Sequence, residues 1–288
     1  MSHAPFLPIQ PTGLRPDQAA LICRIARQRG GLAIAPTKIA FLEQRLSRRL
    51  RVTGHAEFDH YLDDLLRPGA EGEVDALIEA LTTHTTSFFR ERRQFDWLCS
   101  EGLPALVALG AGRDWRFMGW SAACSSGAEL WTLAMVLDRF FSTGRGGSRW
   151  QVAGSDLSRA ILERAARAVY TEDEIAGLPE DYRKAYLMRS RRRHHMAPLF
   201  RIGPELRRHA TFHHANLVKS PPPLAAPADV VFLRNVLIYF DDSGREAALR
   251  HVLSPLRQGG LLFTGHTESL APVPPSLVQV APSTYRKV

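Results

Sequence analysis

The sequence of 288 residues is poor in cysteine, has no long apolar run and contains no Gly-x-Gly-x-x-Gly signature. Its three cysteines, Cys23, Cys99 and Cys124, are far apart and lack metal-ligand spacing, so we expect reduced, unpaired thiols. No segment approaches the roughly 20 apolar residues that a membrane-spanning helix needs. Residues 1–8 lack the basic segment of a secretion signal. These absences favour a cytoplasmic protein that neither inserts into a membrane nor holds a metal.

Acidic residues are also in deficit, since 37 lysines and arginines face 29 aspartates and glutamates, for a formal net charge of +8. Much of this surplus lies in two clusters, Arg45, Arg48, Arg49 and Arg51 in one and Arg189 with residues 191–195 in the other. A positive surplus favours an acidic partner, and nucleic acid, a membrane surface and an acidic protein face all remain open. A solvated basic face is the alternative for either cluster alone.

The first part of the chain has the pattern of helices without strands. From Pro16 to about His84, apolar residues recur at spacings of three and four in four successive stretches. The second stretch ends near Gly54, and the third is broken by Pro68-Gly69. The sequence therefore predicts an all-α N-terminal domain over residues 12–84.

From residue 85 to residue 288 the pattern changes to buried strands that alternate with helices. The predicted strands are Trp115–Ser121, Trp150–Ser155, Asp229–Leu233 and Leu261–Gly265, and the helices between them are Ala128–Phe141 and Ser243–Leu256. This alternation predicts an α/β domain with a parallel, doubly wound, Rossmann-like sheet. The polar, basic segment at about 175–210 breaks the rhythm, so we interpret it as an inserted subdomain.

Small residues follow the first predicted strand, and an acid ends the second. The loop from Ala122 to Gly127 allows a ligand to approach the backbone, and the carboxylate of Asp156 can accept two ribose hydroxyls. Because only Gly119 and Gly127 are glycines here, the spacing suited to a pyrophosphate is missing. This combination favours an adenosine ligand without phosphates, and S-adenosylmethionine meets that description.

Three further motifs lie at the domain junction and at strand ends. Residues 82–90 combine hydroxyls, His84, two phenylalanines and Arg90, which could grip the carboxylate of a ligand or form no more than a helix cap. Arg234-Asn235 follow the third strand, and Gly265–Leu270 follow the fourth. Since ligands bind at the carboxyl ends of strands in such sheets, these residues are expected to line one cleft.

The four motifs resemble those of the chemotaxis receptor methyltransferases, the CheR family, over nearly the whole chain. They are Thr83–Arg90, Trp120–Gly127, Arg234–Phe240 and Gly265–Ser269. The resemblance implies a helical N-terminal domain followed by a Rossmann-like methyltransferase domain with a small β-subdomain insertion. It also implies methyl transfer from S-adenosylmethionine to glutamates on the cytoplasmic domain of membrane chemoreceptors, with S-adenosylhomocysteine as the product.

The resemblance extends to individual residues. The positions that match cofactor contacts of the family are His84, Thr86, Arg90, Glu129, Asp156, Asn216, Leu217, Arg234 and Asn235. Glu129 is expected to face the ligand's amino group, Asp156 its ribose, and Asn216-Leu217 its adenine. Two positions depart from the family: His84 replaces a usual asparagine, and Ala128 replaces one of two adjacent acids.

The expected reaction is an in-line displacement in which a glutamate carboxylate attacks the methyl group. The unperturbed pKa of glutamate is about 4.3, so no general base is needed and alignment and desolvation supply the catalysis. Arg90 and Tyr239 are the candidates that position the attacking carboxylate. The arginines of the segment Arg45–Arg51 are candidates for docking on acidic receptor helices, and the insertion is a second candidate contact.

Two rival functions remain. A nucleic-acid methyltransferase is suggested by the positive charge, but such amino-methylating enzymes usually carry an Asp/Asn-Pro-Pro-aromatic motif where this chain has Arg234–Leu237. No nucleic-acid substrate is therefore expected. A non-catalytic module that binds S-adenosylmethionine is suggested by the departures at His84 and Ala128.

Overall fold

The computed structural model of the protein describes residues 13–143, 149–190 and 197–288, in two compact units. The first unit ends at Thr83 and also includes Tyr239–Asp241; the second comprises His84–Ile238 and Asp242–Val288. The run at 191–195 and the segment 1–8 lie outside the described residues. Within the described ranges, no helix is both long enough and apolar enough to cross a bilayer.

The first unit is helical, as the apolar spacing predicts. Its helices are α1 (Pro16–Ile25), which continues into one π-helical turn (Ala26–Gly30), α2 (Ile39–Thr53), α3 (Phe58–Leu65) and α4 (Glu71–Leu81). Ile22, Leu42, Leu46 and Leu77 are fully buried and form the centre of its core. Gly54 ends α2 in the left-handed conformation, with φ of 78°, which glycine adopts without steric cost.

The second unit begins with two helices that the periodicity did not predict. They are α5 (Arg92–Trp97) and α6 (Leu103–Ala108), joined by a π-helical turn (Leu98–Gly102). The remaining helices are α7 (Ala128–Ser142), α8 (Arg159–Arg167), α9 (Glu180–Tyr186), α10 (Pro204–Arg207) and α11 (Asp242–Leu253). A 3-10 turn (Leu237–Tyr239) precedes α11.

A seven-stranded sheet organises this unit. Its strands are β1 (Phe117–Ser121), β2 (Trp150–Asp156), β6 (Ala210–His214), β7 (Ala228–Leu233), β8 (Leu256–Thr264), β9 (Leu277–Ala281) and β10 (Thr284–Lys287). They lie in the order β6-β2-β1-β7-β8-β10-β9. The first five are parallel, as expected, whereas β10 is antiparallel to both β8 and β9.

The inserted segment forms a small sheet of its own. Its strands are β3 (Val169–Tyr170), β4 (Leu187–Arg189) and β5 (Phe200–Ile202), with β5 in the middle and both pairings antiparallel. The side chains of Tyr170 and Ile202 are buried in the core of the second unit. The insertion is thus packed against the main sheet domain rather than hanging from it.

Aromatic rings and one buried acid fix the middle of the large sheet. The Phe232 ring stacks on Phe263 with centroids 4.6 Å apart and on Phe95 with centroids 5.0 Å apart. At the opposite, amino-terminal end of β7, the fully buried Asp229 accepts hydrogen bonds from Trp115 Nε1 and Met118 N, both at 2.8 Å. The strand β1 begins at Phe117, so Trp115, which was predicted within it, lies before it. The carboxyl ends of the parallel strands share the opposite edge of the sheet.

Candidate functional site

The loop after β1 is shaped by Gly127 at the start of α7. Its φ of 91° lies in the left-handed region, and a Cβ placed there would come within 3.0 Å of Ala165 Cβ and of Trp131 Nε1. No larger residue fits without displacing the helix start, so the small-residue loop is required by both conformation and space. The loop leaves its backbone close to the carboxyl edge of the sheet.

Asp156 ends β2 and faces this loop. Its Oδ2 accepts a hydrogen bond from Ser125 N at 2.9 Å, and its Oδ1 accepts one from Ser158 N at 3.1 Å. The Leu157 N–H is a third backbone donor to this carboxylate, whose oxygens offer about four acceptor positions, so room to accept from a hydroxyl remains. Burial raises the pKa of Asp156 above its usual range, although the backbone N–H donors act in the opposite direction.

Glu129 lies in the first turn of α7, where the helix dipole favours a negative charge. Ser121 Oγ donates to its Oε1 at 2.6 Å, and its Oε2 lies 3.4 Å from Arg234 Nε. Burial raises the pKa of Glu129, and the nearby Arg234 guanidinium partly offsets that rise.

Arg234 directly follows β7, and its side chain is only 1% exposed. Its Nη2 donates to the carbonyl oxygen of Arg90 at 2.6 Å, and its Nε lies 3.6 Å from Glu91 Oε2. Among the described atoms, Arg234 Nε and Nη1 and Glu91 Oε2 make no hydrogen bond. Arg234 Nε instead lies between two carboxylates, those of Glu129 and Glu91, which balance the charge of the buried guanidinium.

The segment from His84 to Glu91 is held beside this group by backbone contacts. Ser125 Oγ donates to the carbonyl oxygen of His84 at 2.7 Å, and Arg90 Nη1 donates to the carbonyl oxygen of Thr85 at 3.1 Å. Thr86 and Arg90 are partly exposed. Phe89 and Glu91 have φ of 52° and 56°, an uncommon conformation that the surrounding contacts must maintain.

Asn216 and Leu217 follow β6 at the same edge of the sheet. Ala215 N donates to the carbonyl oxygen of Asp156 at 3.0 Å, which ties this loop to the end of β2. Asn216 is partly exposed, and its Oδ1 accepts from Val218 N at 3.0 Å. Leu217 is buried, and its carbonyl oxygen accepts from His251 Nδ1 at 2.8 Å. The predicted adenine pair thus lies next to the predicted ribose acid.

Two acids complete the site, and sequence reasoning assigned neither of them a role. Glu91 lies between Arg234 and His266, with its Oε2 3.7 Å from His266 Nε2. Glu268 is buried and accepts hydrogen bonds from the N–H groups of Asn235, Leu237 and Gly265. The Gly-His-x-Glu-Ser motif was the sequence signal for Glu268, but its contacts depend on the fold.

Tyr239 and the four arginines of α2 belong to the first unit. The carbonyl oxygen of Tyr239 accepts a hydrogen bond from Ala33 N at 2.7 Å. Arg48 and Arg51 are exposed, and Arg45 lies over the Phe41 ring. Arg49 instead forms an ion pair with Glu73, with Nε–Oε1 and Nη2–Oε2 distances of 3.0 and 2.5 Å.

The residues at the carboxyl edge of the second unit fit S-adenosylmethionine. The carboxylate of Asp156 suits a ribose hydroxyl, the acid near the helix start (Glu129) suits an ammonium group, and the guanidinium of the partly exposed Arg90 suits a carboxylate. Across the described residues, no group of three or more His, Cys, Asp or Glu side chains is arranged to hold a metal ion.

Comparisons with known proteins agree with this geometry. The family model described as "CheR methyltransferase, SAM binding domain" matches residues 84–286, and "CheR methyltransferase, all-alpha domain" matches residues 17–82. The "Chemotaxis protein methyltransferase" of Escherichia coli is 35% identical over 250 residues, which are 87% of this chain and 83% of that protein. The protein of the same name from Borreliella burgdorferi is 29% identical over 272 residues, or 94% of each chain.

Proposed function

Because the chain belongs to the CheR methyltransferase family, we propose that it uses its cofactor, S-adenosylmethionine, to methylate glutamate side chains of chemoreceptors and forms methyl esters there. The relatives' name, chemotaxis protein methyltransferase, supports a role in chemotaxis. The observation that carries the proposal is the convergence of Asp156, Glu129 and Arg234 at one edge of the sheet, where the buried Arg234 guanidinium faces the Glu129 carboxylate.

Each part of the cofactor has a proposed partner in the chain. Asp156 would hold the ribose, Asn216-Leu217 the adenine, and Glu129 the ammonium group. Arg90 and Arg234 would hold the carboxylate, because a guanidinium pairs well with that group. His84, Thr86 and Asn235 would complete the pocket. When bound, the cofactor supplies an electrophilic methyl group on a positively charged sulfur.

The chain's residues align the attacking carboxylate and exclude water. A receptor glutamate is already ionised near neutral pH because its unperturbed pKa is about 4.3, so no residue has to remove a proton. We assign Arg90 and Tyr239 to the positioning of this carboxylate. Alignment and desolvation then account for the acceleration, since both raise the chance of in-line attack.

The receptor side of the reaction is assigned to the helical domain, residues 12–84, and methyl transfer to residues 85–288. Arg48 and Arg51 are the exposed cations of α2, and acidic helices of the cytoplasmic domain of a receptor would complement them. Arg45 and Arg49 support the same surface from less exposed positions. Methylation from the cytoplasmic side of the membrane requires no insertion of this protein into the bilayer.

Transfer of a tritiated methyl group tests the proposal. The protein is incubated with methyl-labelled S-adenosylmethionine and with receptor-containing membranes, RNA or DNA in separate reactions. Label should enter only the receptors, and mild alkali should release it as methanol, because esters hydrolyse where N-methyl groups do not. Alkali-stable label in nucleic acid would overturn the proposal. Binding of S-adenosylhomocysteine without transfer to any acceptor would favour a non-catalytic module.

A further inference from the structure

Glu268 is a buried acid whose carboxylate, within the described residues, accepts its hydrogen bonds from backbone N–H groups. Glu268 as a whole is only 5% exposed. Oε2 accepts hydrogen bonds from Asn235 N at 2.5 Å and from Gly265 N at 2.9 Å, while Oε1 accepts one from Leu237 N at 2.8 Å. One carboxylate therefore joins the loop after β7 to the loop after β8.

The three donors require a group that only accepts hydrogen bonds. A glutamine at this position would direct its amide hydrogens at one or more of the same N–H groups, and two donors facing each other in a buried place are unfavourable. The carboxylate is therefore matched to its site by its charge state as well as by its shape. Hydrogen bonds that involve a charged acceptor are also the stronger kind.

The loop that Glu268 holds has a conformation that needs support. Asn235 has φ of 57°, in the left-handed region that non-glycine residues adopt uncommonly, although asparagine does so more readily than most. Its N–H donates to Glu268, as does that of Leu237 two residues later. The position of Arg234-Asn235 relative to Glu129 consequently depends on an acid that lies 33 residues after Asn235 in the chain.

We propose that Glu268 is a positioning residue for the cofactor site, which fixes Arg234-Asn235 in the conformation that binds S-adenosylmethionine. This inference rests on the proposed function, because it takes Arg234-Asn235 to contact the cofactor. The described hydrogen bonds of the Glu268 carboxylate all come from backbone N–H groups of the two loops, so we take it to act through the loop that carries Arg234-Asn235.

Asp229 provides a control on β7, the strand that Arg234 follows, and it differs from Glu268 in that it also pairs with Arg257 Nε at 3.1 Å. It is also a buried acid that accepts a backbone hydrogen bond, from Met118 N, but it lies at the amino-terminal end of β7, away from the carboxyl edge. A replacement of either acid by its amide removes one buried acceptor and lowers stability. Only the replacement at Glu268 should also change the cofactor site.

Gly265→Ala is a second probe that leaves the carboxylate in place. A Cβ at position 265 would come within 2.6 Å of Glu268 Oε2 and 2.9 Å of Asn235 Nδ2. The variant should therefore displace the carboxylate from its donors without changing the charge, and it also crowds Asn235 directly, whose N would lie 3.1 Å from the added Cβ. It covers the case in which Glu268→Gln does not fold.

The experiment measures S-adenosylhomocysteine binding by calorimetry for the wild type, Glu268→Gln, Gly265→Ala and Asp229→Asn, together with thermal unfolding of each. We expect Kd to rise about tenfold or more in the first two variants and to stay within about twofold in Asp229→Asn, although all three unfold at lower temperature. In methyl transfer, KM for S-adenosylmethionine should rise more than kcat falls for Glu268→Gln.

The outcomes separate the two proposals. A wild type that does not bind S-adenosylhomocysteine overturns the proposed function and the inference with it. A wild type that binds, with unchanged Kd in folded Glu268→Gln or Gly265→Ala, overturns the inference alone. An equal rise of Kd in Asp229→Asn would also overturn it, because the effect would then follow from lost stability.

Discussion

Arg234 Nη2 donates a hydrogen bond to the carbonyl oxygen of Arg90 at 2.6 Å, although the two arginines are 144 positions apart in the sequence. The contact uses the backbone of Arg90 and the side chain of Arg234. The guanidinium of Arg90 is therefore left for another partner, with Thr85 O at 3.1 Å as its described hydrogen bond. Removing the Arg90 side chain should leave the loop in place.

Arg90→Ala should lower methyl transfer to receptor at least about a hundredfold. The variant removes the guanidinium that we assign both to the cofactor carboxylate and to the positioning of the receptor carboxylate. The unfolding free energy should change by less than about 1 kcal/mol, since the side chain is partly exposed. Label transfer and chemical denaturation measure the two quantities. The exposed Arg93, three positions later in α5, is the control, and Arg93→Ala should retain transfer. Near-normal turnover in Arg90→Ala would refute its role.

Cofactor binding should weaken as the pH falls, and the loss should begin at a higher pH than it would for carboxylates with ordinary pKa values. Burial raises the pKa of Asp156 above 3.8 and that of Glu129 above 4.5, and the ionised carboxylates are the forms that bind. Affinity is therefore complete above these raised values and is lost as the pH falls through them. Calorimetry with S-adenosylhomocysteine between about pH 8 and about pH 4.5 measures the effect.

Stability of the helical unit gives the reference for that titration. Hydrogen bonds from Arg15 and Gln18 lower the pKa of Asp59 to about 2, so its stabilising contribution persists until the pH falls below 3.8. Circular dichroism over the same pH range separates loss of affinity from loss of folded protein. An affinity that is flat down to the onset of unfolding would contradict the role of the two buried acids.

Gly127→Ala should impair both stability and cofactor binding. A left-handed alanine costs about 1–2 kcal/mol, and the contacts of its Cβ at 3.0 Å add to that cost. Gly54→Ala is the matched control, because its φ is 78° but nothing lies within 4 Å of the added Cβ. Denaturation should show the larger loss for Gly127→Ala, and only that variant should bind S-adenosylhomocysteine more weakly. Equal losses of unfolding free energy in the two variants would mean that the neighbours of Gly127 move aside without lowering stability.

Two neighbouring arginines of α2 should separate receptor docking from stability. Arg48→Glu should raise KM for receptor several-fold and weaken its salt dependence while leaving stability unchanged, because Arg48 is exposed. Arg49→Ala should instead lower the unfolding free energy by about 1 kcal/mol, because it breaks the pair with Glu73, whose side chain is 26% exposed. Receptor methylation that is indifferent to Arg48→Glu would remove α2 from the docking surface.

The sequence predicts much of the fold because strand and helix patterns are strong where they are buried. The strands β1, β2 and β7 are almost entirely buried, and a polar residue stands at each carboxyl end: Ser121 ends β1, Asp156 ends β2 and Arg234 follows β7. Parallel topology then places those polar residues at one edge. The edge strand β6 was missed because it is short and half polar, with two histidines in five residues. The helix predicted to reach Leu256 ends at Leu253, and β8 begins at Leu256.

The details of the site depend on contacts that no local pattern contains. Sequence reasoning named Glu129 and Arg234, but their proximity to each other and to Glu91 arises from three separate elements. Likewise, the four arginines of α2 are equivalent in sequence, and only the position of Glu73 on α4 distinguishes Arg49 from Arg48. Glu268 stood in a noted motif, yet its three backbone donors become visible only when two loops meet.

The position of β10 has a consequence for damaged chains. Thr284–Lys287 follow both β8 and β9 in the chain but pair with each of them, and Lys287 Nζ also donates to the carbonyl oxygens of Leu253 and Leu256. Proteolytic removal of these few residues would strip two strands of their partner at once and leave open edges prone to intermolecular pairing. We therefore expect a protein that has lost these residues to aggregate, and not only to be slightly less active.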